Sequence, residues 1–147
     1  MNKTKRKIFE TSMKLFAEKG YDATSIEEIT SVVGVAKGTL YYHFSSKEEI
    51  FHFLVDEGMK LLQNSISIKT AQKTNSIDKL KSIVLIQLKV LYKYEDFMTI
   101  IFSQLWGNEP RNIECKKYVV QYLKIIEEII QDGINKGEII KADPETI

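Results

Sequence analysis

The chain has 147 residues, 44% of them hydrophobic and 28% charged, with a formal net charge of +1. That size and balance describe one domain, or a small domain and part of a second, and exclude disorder, a fibrous repeat and a strong overall field. Any polyanion must therefore be met by a local patch and not by bulk basicity.

A single cysteine, Cys115, excludes an internal disulfide framework and a cysteine-rich zinc site, and points to a reducing, cytoplasmic setting. No apolar run approaches the roughly 18 residues of a membrane span. Ile8-Phe9 gives way at once to Glu10, Thr11 and Ser12, unlike a signal peptide. Seven glycines and two prolines are too few for many short strands.

From Lys3 to Lys19 the apolar residues Ile8, Phe9, Met13, Leu15 and Phe16 make one helical stripe, and Gly20 stops it. Thr24-Ser25-Ile26-Glu27 has the form of a capping box, with Thr24 accepting from the Glu27 amide. Ile26, Ile29, Val32 and Val33 form a short second stripe that Gly34 ends. Val35 to Phe44 reads as a third short helix with Leu40 and Phe44 inward. Ser46-Lys47-Glu48-Glu49 is a second capping box, opening a helix to about Ser65 that carries Ile50, Phe51, Leu54, Val55, Leu61 and Leu62.

The polar stretch Ser67 to Ser76 reads as a connection. Asn75 or Ser76 then caps a helix carrying Ile77, Leu80, Val84, Leu88 and Leu91, and Tyr94-Glu95-Asp96 interrupts the pattern. Phe97 to Trp106 is apolar enough for a buried helix, stopped by Gly107. Pro110 sits where the first turn of the last long helix needs no N–H, and that helix runs to about Lys136 with Gly137 beyond it. Ala142-Asp143-Pro144-Glu145 has the residue order of one more helix start, so the chain reads as a fragment; a frayed polar tail is the other reading.

Residues 24–47 carry the chemistry. Two short helices joined through Gly34 are the helix-turn-helix arrangement, whose second helix enters a DNA major groove. Its outward residues are Lys37, Gly38, Thr39, Tyr41, Tyr42 and His43. A first-turn lysine reaches guanine O6 and N7, a glycine lets the backbone approach, and a threonine offers a hydroxyl to phosphate or a methyl to thymine. Tyr41, Tyr42 and His43 can donate to phosphate oxygens, which fix position without reading sequence. Lys47 stands at the next helix start, where amides favour an anion. Lys3, Lys5, Arg6 and Lys7 form a basic arm suited to phosphates or the minor groove. Paired short helices also occur in many bundles, and a Tyr-Tyr-His run can cap a core, so periodicity alone leaves DNA binding open.

Thr24-Ser25-Ile26, Gly34-Val35-Ala36-Lys37-Gly38-Thr39-Leu40-Tyr41-Tyr42-His43-Phe44 and Ser46-Lys47-Glu48 resemble the signature of tetracycline-repressor (TetR/AcrR) transcription regulators. Phe16-Ala17-Glu18-Lys19-Gly20-Tyr21 is similar to that family's first-helix ending. The resemblance spans about the first 50 residues; beyond residue 60 it lies only in helix order. It implies an all-α fold: a three-helix DNA-binding head, residues 1–46, joined to a helical ligand-binding body, residues 47–147. It implies a ligand-responsive repressor, released from a double-stranded operator by a small apolar or amphipathic effector. Lys37, Gly38 and Thr39 would meet bases or nearby backbone. Thr24, Ser25, Tyr41, Tyr42, His43 and Lys47 would complete the DNA surface, and Phe16, Ile29, Leu40 and Phe44 would be core. The family's homodimer is built by its last two helices, which would follow residue 145 and are missing here.

The resemblance also implies a cavity among the body helices. Phe97, Ile101, Phe102, Gln104, Leu105, Trp106, Tyr118, Tyr122 and Ile125 are its candidate lining, with plain core packing as the other reading of each. Cys115 reads as an inert small residue. No catalytic signature stands out: His43 and His52 lie nine apart, without metal-ligand spacing, and there is no HExxH, GxSxG, Walker or GxGxxG sequence. The paired acids Glu27-Glu28, Glu48-Glu49 and Glu127-Glu128 read as solvated faces and cap charges. The expectation is a regulator and not an enzyme, without metal or cofactor. The alternative is a helical small-molecule-binding or protein-interaction bundle that does not bind DNA.

Overall fold

The structure, a computed structural model, describes residues 1–140. Among these residues seven helices follow one another: α1 (Lys3–Lys19), α2 (Ile26–Val33), α3 (Lys37–His43), α4 (Lys47–Ala71), α5 (Ser76–Lys93), α6 (Glu95–Ser103) and α7 (Pro110–Asn135). Among the described residues there is no strand. The helix signal at Ala142 to Glu145 lies outside the described residues.

The first half of the core is aliphatic with a cluster of aromatic rings. Ile8 and Phe16 of α1, Ile29 and Val33 of α2, Leu40 of α3, and Phe44 are buried together with Ile50, Phe51 and Leu54 of α4. Phe51 meets Phe16 at 6.1 Å and Tyr21 at 5.2 Å between ring centroids. Phe53 takes Phe9 and Phe44 edge-on, at 5.7 and 5.5 Å. The first turns of α4 thus complete the core of α1–α3, while its later turns, through Met59 and Ile66, pack into the body. In the body α5 packs on α4 and α7, and α6 packs against α1. One long helix rooted in both halves, and one body helix resting on α1, are the mechanical links of the molecule.

Capping explains most helix ends. Ser25, Ser46 and Asn75 accept from Glu28, Glu49 and Asp78 amides. The α2 cap is therefore Ser25 and not Thr24, one residue later than the capping-box reading, because Thr24 is drawn inside. Glu27, Glu28, Glu48 and Glu49 lie in first turns, at the positive ends of their helices. Pro110 begins α7, and Asn112 accepts from the Glu109 amide at 3.0 Å.

Four expectations need correction. Of the polar stretch after Ser67 only Gln72 to Asn75 is a connection: α4 continues to Ala71, held by buried Ile66 and by the Thr70 hydroxyl, which donates to the Ile66 carbonyl at 2.8 Å. The interruption after α5 is Tyr94 alone: Glu95 and Asp96 form the first turn of α6, which ends at Ser103, short of Trp106. Val32 and Leu61 point outward. The α5 stripe is the largest departure: Ile83 is its buried hydrophobic residue, whereas Ile77, Val84, Leu88 and Leu91 are exposed. Three of these, Val84, Leu88 and Leu91, border a cavity instead of filling a core.

Candidate nucleic-acid interface and ligand cavity

The turn between α2 and α3 rests on Gly34, which adopts φ 77°, a left-handed geometry that a side chain would strain. The Thr30 carbonyl accepts from both Gly34 and Val35 amides, at 2.9 and 3.1 Å, and closes the turn. At the start of α3, Ala36 occupies the cap position and has no side-chain acceptor, so the first-turn amides keep no side-chain partner. The neighbouring helices α2 and α4 both have a serine there.

With Leu40 and Phe44 buried, α3 turns its other side to solvent. Tyr42 is 83% exposed, and Lys37, Gly38 and Tyr41 are also exposed, while Thr39 and His43 are half-buried. Nothing lies within 4 Å of where a Gly38 Cβ would stand. The Tyr42 and His43 rings meet edge-on at 5.0 Å. Ser25 is exposed beside this row; its oxygen accepts from Glu28, leaving its proton free to donate. The Lys37 ammonium is paired with the Glu27 carboxylate across the turn. That hydrogen bond holds Glu27 below the usual carboxylate range and raises Lys37 above the ordinary lysine value. Both groups are solvent-exposed, so the pair is weak and exchangeable.

Two expected members of the outer surface face inward. Thr24 is 1% exposed, and its hydroxyl donates to the Gly20 carbonyl at 2.9 Å. Lys47 donates to the Tyr21 and Thr24 carbonyls, at 2.8 and 2.9 Å, with its ammonium 4.3 Å from the Tyr21 ring centroid. Both residues hold the α1–α2 turn in place. The basic arm is not an arm either, because helix α1 begins at Lys3. Lys7 donates to the Val33 carbonyl at 2.8 Å, and Lys5 lies over the Phe44 and Phe53 rings; Lys3 and Arg6 stay exposed.

Between α4, α5, α6 and α7 lies a cavity of about 390 Å³. Phe97, Ile101, Phe102, Leu105 and Tyr122 line it, as expected, but Trp106 and Tyr118 do not. Trp106 lies past the end of α6 and is mostly exposed. Tyr118 faces α4, where its hydroxyl donates to Asp56 at 2.6 Å; that bond is the main reason its pKa is pushed up to about 12. Gln104 and Ile125 are also outside the lining. Sequence reasoning missed Met59 and Leu62 of α4, Val84, Gln87, Leu88 and Leu91 of α5, and Val119 and Leu123 of α7. Their signal in the sequence is the α5 stripe, whose spacing does not tell a core face from a cavity wall. Inside the cavity the Gln87 amide donates to the Tyr122 hydroxyl. Cys115 is buried, and desolvation pushes its thiol up to about 12, which makes it unreactive.

A glycine-centred turn presenting an open short helix, on an all-helical body with an apolar cavity, defines a helix-turn-helix regulator fold. A profile of the bacterial regulatory proteins of the tetR family matches residues 8–54. A Clostridium perfringens protein assigned as a fatty acid metabolism regulator superposes with a TM-score of 0.86 at 37% identity, over 93% of this chain and 74% of that one. The chain belongs to the tetR family of bacterial regulatory proteins.

Two further relatives are transcriptional regulators. IcaR of Staphylococcus aureus, the negative regulator of the biofilm operon icaADBC, is 40% identical over 114 residues, covering 78% of this chain and 59% of IcaR. YerO of Bacillus subtilis, an HTH-type transcriptional regulator, is 31% identical over 122 residues, covering 80% of this chain and 41% of YerO. The chain thus spans about two fifths to three fifths of the length of these two relatives. Among the described residues no helix is long and apolar enough to cross a membrane.

Proposed function

We propose that this chain is the DNA-binding and effector-sensing part of a transcriptional regulator, a repressor released from its operator by a small apolar or amphipathic ligand. The exposed row on α3 carries the reading. Lys37, Tyr41 and Tyr42 stand outward on a helix whose own core residues, Leu40 and Phe44, are fully anchored. Such a row has no packing role, and its residue types are those that meet base edges and phosphates. Lys37 exchanges Glu27 for a guanine edge. Gly38 and the uncapped amides of α3 approach the backbone, and Ser25, Thr39, Tyr41, Tyr42 and His43 position the helix. IcaR, a negative regulator, supports repression as the output.

In this reading residues 1–46 are the DNA-binding unit and residues 47–147 the regulatory unit, with α4 shared mechanically. The protein acts beside the chromosome, in the cytoplasm, and has no catalytic role. It works as a homodimer, with recognition helices about 34–36 Å apart or a multiple of that spacing. The apolar cavity takes the effector, and the relative assigned to fatty acid metabolism supports an apolar chemistry. A ligand that favours one arrangement of α4 and α6 moves the head, because α4 begins in the head core and α6 rests on α1. It shifts the equilibrium only by its difference in affinity for the two states.

A salt titration of this chain on a fluorescent duplex tests the reading. The log–log slope should be about −0.9 for each phosphate neutralised. A flat response at low ionic strength rules out the DNA surface and leaves a ligand-binding bundle.

A further inference from the structure

We infer that Phe97 is the floor of the effector cavity and sets the longest unbranched alkyl chain the protein accepts. The inference rests on the proposed reading of the cavity as the effector site.

Gly58 lies inside α4, where glycine weakens a helix. Its place is explained by what sits on it. A Cβ at Gly58 would fall 2.2 Å from Phe97 Cε2 and 2.5 Å from Cζ. The ring therefore lies directly against the α4 backbone, and only glycine leaves room for it. On one side of the ring is the cavity of about 390 Å³. On the other is a second hollow of about 240 Å³, bounded by Phe9 and Met13 of α1 and by Leu54 and Leu61 of α4. Phe97, Leu62 and Val90 line both spaces. The wall between them is one layer of side chains, and Phe97 is its largest member.

The chemistry of the two spaces selects the occupant. The outer cavity has no charged lining residue, and its polar side chains, Gln87 and Tyr122, bond to each other. A charged head finds no counter-ion there and stays at the mouth, while an apolar tail goes in. The second hollow is also mostly apolar; its polar members, Glu57, Ser65 and Tyr94, are exposed. A passage one ring wide would admit a linear chain but not a fused ring system. With Phe97 in place, a chain stops at the ring. Without it, the same chain continues toward α1.

The test is displacement of bound anilinonaphthalene sulfonate by saturated fatty acids, from octanoate through stearate. Affinity should rise roughly fourfold per methylene while the tail is being buried, then level off when it meets the floor. In Phe97→Ala the levelling-off should move to chains several carbons longer. Phe97→Leu should move it the same way by less, and this conservative change serves if circular dichroism shows the alanine variant unfolded. An unchanged break point in a folded variant overturns the floor and leaves the cavity reading intact. Failure of every chain to displace the dye from the unmodified protein overturns the cavity reading itself, and the floor with it.

Discussion

Arg111, in the first turn of α7, holds its guanidinium 4.7 Å from the centroid of the Tyr21 ring. Its Nη2 donates to Asp22 at 2.8 Å and its Nε to Gln104 at 3.1 Å. Tyr21 also carries the Lys47 ammonium, which ties down the Tyr21 and Thr24 carbonyls. A continuous polar chain therefore runs from Gln104, at the end of α6 beside cavity-lining Leu105, to the turn that starts α2. Its strong link is the stacked and partly buried one, since Asp22 is mostly exposed and its ion pair is screened. Arg111→Ala should lower unfolding free energy by about 1–2 kcal/mol, and Asp22→Ala by less than about 0.5 kcal/mol. Urea titration of both variants checks the order; equal losses would place the energy in the ion pair and not in the stack.

The Lys37–Glu27 pair makes a second prediction. Glu27 competes with DNA for the one cation at the start of α3, so Glu27→Gln should tighten duplex binding. Lys37→Ala should alter base preference, costing roughly 1–3 kcal/mol at one position. Tyr41→Phe should weaken all sequences about equally, since phosphate contacts carry no sequence information. Selection from a randomised duplex pool reads all three. Unchanged preference in Lys37→Ala would remove that residue from base recognition.

Thr24 and Lys47 separate structure from contact. A phosphate-binding lysine, when removed, lowers the salt slope by about one unit and leaves the fold alone. Lys47 instead satisfies two carbonyls, so Lys47→Met should cost about 1–3 kcal/mol of stability, through lost charge-assisted hydrogen bonds, with the salt slope preserved. Thr24→Val should behave alike, with a loss of about 1 kcal/mol. Urea midpoints and salt slopes measured on the same samples decide; a full-strength fold with a shallower slope would return Lys47 to the DNA surface.

The head was legible because each of its signals is local. Gly20 and Gly34 stop helices within the chain's own next turn, and Ser46 caps α4 by a contact three residues away. Leu40 and Phe44 repeat at the spacing that one helix face imposes. What the head's sequence does not show is the set of side chains that reach across it. Thr24 turns in toward Gly20, Lys47 and Lys7 each bond a carbonyl 26 residues away, and none of that shows in a periodic pattern. The body was harder to read because an apolar stripe does not say what it faces. Val84, Leu88 and Leu91 have core spacing but border a space. Phe97 and Phe102 are both on α6, yet one is buried on Gly58 and the other is half open. Whether such residues fill or enclose depends on how far apart the helices stand, which no single helix encodes.

Asp56 supplies a pH prediction with a fixed sign. Lys60 and, after it, Tyr118 hydrogen-bond its carboxylate and hold it below the ordinary aspartate value. A carboxylate depressed in the folded state adds stability that is fully present above its unfolded pKa of about 3.9 and is lost as pH falls through the folded value. Tyr118→Phe removes the second partner, which links α7 to α4. The variant should be less stable than the parent by about 1 kcal/mol near neutrality. The gap should narrow below about pH 4, as Asp56 becomes protonated in both proteins. Urea unfolding of the pair at neutral and at acid pH measures it. A gap that stays constant across that range would assign the Tyr118 contribution to ring packing and not to its bond with the charged carboxylate.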